Sequence, residues 1–214
     1  MAITTYATLQ TAIANFLARG DLTAQIPDFI TMAEARMNRE LETRAQEKRS
    51  TATLVAGNEY IALPNDLREI REVKLDTSPL TILEYYSPTA LDEQYPTAGH
   101  AKPRGFSIIG PEMKLRPIPD TAYTAEIVYV GDIAPLSVAA PSNTILLRSP
   151  DAYLYGALAE AYAYLLDETR AAQYMQRFNT ALEEIKLDES RAHYGTGSLQ
   201  ITSIYQRQNS SAEK

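Results

Sequence analysis

The chain has 214 residues, 45% of them hydrophobic and 22% charged, with a formal net charge of −7. That length and balance suit a folded protein with a real core, and set one domain, or one domain with a large insertion, as the expectation. The absence of cysteine excludes disulfides and thiolate metal sites, and the acidic balance argues against tight binding to a nucleic-acid backbone, which needs clustered Lys and Arg.

The first predicted element carries a helical stripe of Tyr6, Leu9, Ile13, Phe16 and Leu17. Thr4 or Thr5 can cap it, and Gly20 stands where a left-handed C-terminal residue belongs. Met1 to Asp21 has no basic lead and carries Gln10 and Asn15 within its apolar part, so it does not read as a signal peptide. A second helix follows with the stripe Ile26, Ile30, Ala33, Met37 and Leu41, predicted to reach about Lys48 with Pro27 tolerated in its first turn. The short connection makes the two helices antiparallel neighbours. Glu34, Arg36, Arg39, Glu40, Glu42, Arg44, Glu47, Lys48 and Arg49 read as a solvated face of mixed sign, with pairs such as Glu40 and Arg44.

The period changes at Ser50. Thr51 to Val55 and Glu59 to Leu63 read as strands joined across Ala56-Gly57-Asn58, a hairpin signal. Ile70, Val73 and Leu75 lie in a third extended run and Leu80 to Tyr86 in a fourth. Ser87-Pro88 opens a short helix over Leu91 to Tyr95, and Pro96 to Pro103 is a loop. Phe106 to Ile109 and Met113 to Ile118 form a second hairpin around Gly110-Pro111. Tyr123 to Val130 is the clearest strand: Tyr123, Ala125, Ile127 and Tyr129 point one way, Thr124, Glu126, Val128 and Val130 the other. Ala134 to Asn143 then returns the chain to Ser149.

Ser149-Pro150-Asp151 combines a cap, a first-position proline and a first-turn acid; losing such a cap typically costs ~1 kcal/mol. Leu154, Leu158, Ala161 and Leu165 form one stripe, and Ala171, Met175, Phe178, Leu182 and Ile185 another. The phase slips at Asp167-Glu168-Thr169, where Asp167 can cap a new helix, so the pattern is two helices with a tight corner or one sharply kinked helix. The most apolar run, Tyr153 to Leu166, is interrupted by Glu160 and is too short to span a bilayer. Gly195-Thr196-Gly197 ends the helix, and Leu199, Ile201 and Ile204 then alternate loosely before a polar tail.

Helices, a strand-rich middle and helices again argue for an α+β fold rather than alternating βαβ units. The expected layout is a helical hairpin over 1–49, an inserted and mainly antiparallel β unit over 50–147, helices completing the bundle over 148–195, and an extended arm with a polar tail over 196–214. Leu199, Ile201, Ile204 and Tyr205 of the arm are the candidate partner-binding residues. A strand too short to build its own sheet orders most easily on another chain's sheet edge or groove; folding back on the subunit's own β unit is the alternative.

Little in the sequence carries chemistry. The two histidines, His100 and His193, lack metal-ligand spacing, and Gly195 and Gly197 follow a helix rather than a strand, so they make no dinucleotide loop. Ser211-Ala-Glu-Lys214 is a chance match to the S-x-x-K pattern, and Asn209-Ser-Ser211 is a sequon without a secretory context. Glu183, Glu184, Asp188 and Glu189 read as a solvated, self-repelling helix face. No catalytic, cofactor or metal residue is assigned. Tyrosine is abundant, 14 against 4 Phe and no Trp, which suits interfaces or half-buried faces.

The order of several segments resembles a known family. They are Thr5-Tyr-Ala-Thr-Leu-Gln-Thr-Ala-Ile13, Ile26-Pro-Asp-Phe-Ile30, Ala33-Glu-Ala-Arg-Met-Asn-Arg-Glu-Leu41, Tyr60-Ile-Ala-Leu-Pro-Asn-Asp66, Ile108-Ile-Gly110 into Leu115-Arg-Pro-Ile-Pro119, Ala125-Glu-Ile-Val-Tyr129 and Leu147-Arg-Ser-Pro-Asp-Ala-Tyr-Leu-Tyr-Gly-Ala-Leu158. Together they resemble the adaptor, or head-to-tail connector, proteins of short-tailed bacteriophages, over residues 1 to about 205. The resemblance implies a structural virion protein of the neck, assembled in the host cytoplasm. It implies a ring of identical subunits, expected to be twelve, docked under the portal protein. Such a ring extends the DNA channel and offers a platform to a downstream tail or nozzle protein; the net charge of −7 and the mixed-sign helix faces add the expectation that duplex DNA passes without tight binding. It brings no catalytic residues and no membrane. A tail-associated cell-wall hydrolase and a small host-cytosolic scaffold are the alternatives.

Overall fold

The computed structural model describes residues 2–97 and 99–193. The first helix, α1 (Tyr6–Leu17), opens on a reciprocal cap: the Thr8 N–H donates to Thr5 Oγ1 at 3.3 Å and the Thr5 N–H to Thr8 Oγ1 at 2.9 Å. Leu9, Ile13 and Leu17 face the core, whereas Phe16 of the expected stripe is 52% exposed. The left-handed residue after the helix is Ala18, at φ 50°, not Gly20. Stopping there lets the following turns bring Leu22 back into the core.

The second helix, α2 (Ile26–Glu40), is shorter than expected. Leu41 is extended and fully buried, and a single 3₁₀ turn follows at Arg44–Gln46, braced by Thr43 N–H donating to Gln46 Oε1 at 2.8 Å. Beyond Leu41 the helical pattern has no apolar stripe to anchor it, so pairing with a distant strand decides the conformation.

That strand pairing begins with β1 (Glu47–Leu54). It is followed by β2 (Tyr60–Ala62), β3 (Leu67–Leu75), β4 (Thr81–Ile82), β5 (Glu84–Tyr85), the helix α3 (Pro88–Gln94), β6 (Gly105–Ile109), β7 (Glu112–Arg116) and β8 (Tyr123–Gly131). They build two four-stranded sheets, ordered β1-β8-β3-β4 and β2-β7-β6-β5. All ladders are antiparallel except β5 with β6. The inward faces of both sheets, including Leu54, Val73, Leu75, Phe106, Met113, Leu115, Ala125 and Ile127, share one apolar core.

β1 and β2 are therefore not the expected hairpin. β1 pairs with β8 along its whole length, Glu47 opposite Val130 to Leu54 opposite Tyr123, and the turn at Gly57 (φ 79°) carries the chain into the other sheet. The fourth extended run also divides: β4 pairs with the end of β3, the Leu83 N–H donates to the Val73 carbonyl at 2.8 Å, and β5 then joins β6. The hairpin at Gly110-Pro111 and the strand β8 match expectation, with Ala125, Ile127 and Tyr129 buried.

The chain re-enters the helical region through α4 (Thr144–Arg148), a short helix that the sequence pattern did not predict. Its cap is Asn143, whose Oδ1 accepts the Leu146 N–H at 2.9 Å. Because α4 runs almost directly into α5 (Pro150–Tyr164), the Ser149 side chain makes no capping bond. The expected corner follows: Leu166 takes φ 60° and Asp167 Oδ1 accepts the Arg170 N–H at 3.0 Å, starting α6 (Glu168–His193). α5 is not one-faced. Ala152, Tyr153, Leu154, Gly156, Ala157, Leu158, Ala159, Ala161 and Tyr162 are all buried, so it is the central rod about which α1, α2, α4 and α6 pack. At Gly156 an added Cβ would lie 2.9 Å from the Phe178 ring and 3.0 Å from Ala33 Cβ, which fixes how closely α2 and α6 approach.

Candidate interaction surface

The polar groups of the helical body act as internal ties. Glu34, expected on a solvated face, is 6% exposed. Its Oε1 accepts the Leu136 N–H at 2.8 Å and the Tyr153 hydroxyl at 3.2 Å. Asn143 Nδ2 donates to the Tyr153 oxygen at 2.6 Å and to the Ala134 carbonyl at 2.8 Å, and Asn38 Oδ1 accepts the Ile133 N–H at 2.8 Å. These bonds pin the connection after β8 onto α2 and α5. Burial raises the Glu34 carboxyl above its usual range, opposed by the bonds from Leu136 and Tyr153. Burial likewise drives the Tyr153 phenol far up, keeping it a neutral donor.

The other expected surface charges are also redistributed. Glu40 approaches Lys186 (3.8 Å) rather than Arg44, and Arg36 pairs with Glu160 at 2.5 Å. Glu189 is not part of a self-repelling face: it accepts the Arg44 N–H at 3.0 Å and faces the guanidinium groups of Arg44 (3.2 Å) and Arg148 (3.3 Å). Burial opposes its charge, but those donors outweigh burial and hold the carboxyl below its usual range. Glu183 and Asp188 pair with Lys186 and Arg191. The buried cations of β7 are matched too, Lys114 to Asp92 at 2.6 Å and Arg116 to Glu59. Among the described residues no cluster of His, Asp or Glu could hold a metal ion, and no helix is long and apolar enough to cross a membrane.

Two further surface features are aromatic or apolar. On α5 and α6 a ladder runs Arg170, Tyr162, Tyr174, Arg177, Tyr155. The Tyr162 and Tyr174 rings stack at 5.3 Å, Arg170 covers Tyr162, and Arg177 sits 5.4 Å from Tyr174 and 5.8 Å from Tyr155. Tyr162 is buried and Tyr155 and Tyr174 are half-buried, so the exposed part of the ladder is Arg170 and Arg177 laid over aromatic rings, and Arg with Tyr is a composition enriched at interfaces.

A second surface is a groove of about 540 Å³ at the open edge of the two sheets. Val73 and Phe106 form its floor, Ile70 and Ile108 are half-buried in its walls, and Ile82 and Tyr85 stand at its rim, 59% and 61% exposed. Sequence reasoning missed it because β3 and β6, which form its sides, are far apart in the chain and neither is unusual alone. Leu199, Ile201, Ile204 and Tyr205, the predicted contact residues, lie outside the described residues.

No curated protein matches the chain. The SU10 adaptor protein family matches residues 4–201, nearly the whole length. The chain thus belongs to the SU10 adaptor protein family and is a structural phage adaptor protein.

Proposed function

We propose that this adaptor forms a closed ring of identical copies, twelve by the family resemblance, under the portal protein of the virion. The ring extends the DNA channel and gives the next tail component a platform, at the neck between head and tail, after assembly in the host cytoplasm. The observation that carries this reading is the family match over residues 4–201. Identical subunits that close a ring meet through two different patches, and the exposed Arg170 and Arg177, laid over Tyr162, Tyr174 and Tyr155, support a place for one of them on α5 and α6. The isolated protein need not form the ring, because the portal can gather weak contacts into one assembly.

The test is reconstitution of purified portal with saturating adaptor, imaged by electron microscopy. The expected particle carries a complete ring below the portal. Particles holding one or two adaptor copies at saturation overturn the reading.

A further inference from the structure

We propose that the cleft between β5, the end of α3 and the approach to β6 docks an acidic segment of another protein, with Lys102 and Arg104 gripping its carboxylates. The proposal stands on that cleft alone and does not rest on the ring.

The cleft holds about 360 Å³ and is lined by Ile82, Glu84, Tyr86, Tyr95, Lys102 and Arg104. Backbone bonds fix its walls. The Glu84 N–H donates to the Arg104 carbonyl and the Arg104 N–H to the Arg116 carbonyl, both at 2.9 Å, so Arg104 is stitched between β5 and β7. Pro103 is buried and the Ala101 N–H donates to the Ile118 carbonyl at 2.9 Å, which holds Lys102 between two fixed points. Gly105 lets the Tyr86 ring lie against the strand, since an added Cβ would stand 2.9 Å from that ring. Tyr95 meets Tyr86 edge to face, with centroids 6.5 Å apart. A wall already in place spares binding the cost of ordering it.

The occupant follows from charge. Other cations of the two sheets are matched, Lys74 to Glu126, Lys114 to Asp92 and Arg116 to Glu59. Among the described residues Lys102 and Arg104 have no such partner, and neither side chain donates a hydrogen bond, although Lys102 is half-buried. Glu84 is the acid in the lining, and its carboxylate instead accepts the Tyr86 hydroxyl at 2.5 Å. Two unmatched cations in one cleft run against the field of a chain whose net charge is −7. A duplex presents phosphates along its whole length and needs a broad basic surface, which a pair of cations on an acidic molecule does not give. A peptide carboxylate needs only the pair: the guanidinium fork takes it with two parallel bonds and the ammonium adds a third. Exposed Ile82 and the two tyrosine rings offer an apolar neighbour of that carboxylate a surface to cover. The segment that fits is therefore acidic with apolar residues beside the acids.

Backbone-amide NMR of the full-length protein, titrated at physiological salt with a synthetic peptide of alternating glutamate and leucine, tests this. The expected result is saturable shifts centred on Ile82, Tyr86, Tyr95 and Arg104, absent when glutamine replaces glutamate in the peptide. The K102E/R104E variant should bind about tenfold more weakly or worse while its β8 amides stay in place, which separates lost docking from misfolding. Lys102→Arg keeps the charge and should bind as the parent does. No shift at the cleft, or undiminished binding by K102E/R104E, overturns the proposal. So does short duplex DNA or inorganic phosphate that shifts the same amides at lower concentration than the peptide, which would make this a site for nucleic acid or for small anions. Shifts that appear on concentrating the protein alone would give the cleft to a second copy and overturn it equally. None of these failures touches the ring.

Discussion

Glu34 shows how a single carboxyl can be a structural part. Its Oε1 is the acceptor for Leu136 and Tyr153 across two elements. Replacing Glu34 by Ala leaves a buried N–H unsatisfied and should destabilise the fold by about 1–3 kcal/mol. Glu34→Gln retains an acceptor and removes the buried charge. Because burial raises the carboxyl above its unfolded value, its stabilising contribution is complete below the unfolded pKa and is lost as pH rises through the folded one. Denaturant unfolding of the two proteins near about pH 5 and about pH 8 should therefore show the difference shifting in favour of Gln at the higher pH. A constant difference would mean that the carboxyl does not titrate differently in the folded state. In the sequence Glu34 was indistinguishable from its charged neighbours, because nothing local marks which position a distant loop will cover.

At the scale of elements, packing is tightest around α5. Gly156→Ala adds helix propensity worth about 1 kcal/mol. It also forces a methyl against Phe178 and Ala33, where overpacking typically costs about 1–3 kcal/mol. The expected net result is a lower melting temperature with an unchanged far-UV spectrum; a higher melting temperature would show that the Phe178 ring moves aside freely. The stripes that define these helices were legible from spacing alone, as were β8 and the Gly110-Pro111 hairpin. The errors share one cause. The end of α2, the partner of β1, the division at Leu83 and the cap at Asn143 are each settled by contacts distant in sequence, which local pattern does not contain. The groove was invisible for the same reason, since its walls come from β3 and β6, whereas the general order of helices, sheet and helices was readable.

For the whole molecule the relevant quantity is charge. With a net charge of −7 and most described cations already paired, few Lys or Arg side chains are free to neutralise phosphates. In the ring proposed above, a channel wall of this kind would let DNA slide, where many phosphate contacts would give salt-sensitive adhesion. Titration of short duplex DNA with the purified protein at physiological salt should show no sub-micromolar binding. Tight binding that weakens steeply with added salt would contradict a passive wall.

The burial of α5 among helices from both ends of the chain has a consequence during synthesis. α1 and α2 leave the ribosome early, yet the rod they pack on is made only after the whole of both sheets. Their apolar stripes wait, uncovered, while the β strands find one another, and the helical core closes last. Long-separated contacts of this kind slow folding and leave sticky intermediates on the way. A nascent chain released before Leu182 would be expected to need a chaperone or to aggregate, however well its sheets had formed.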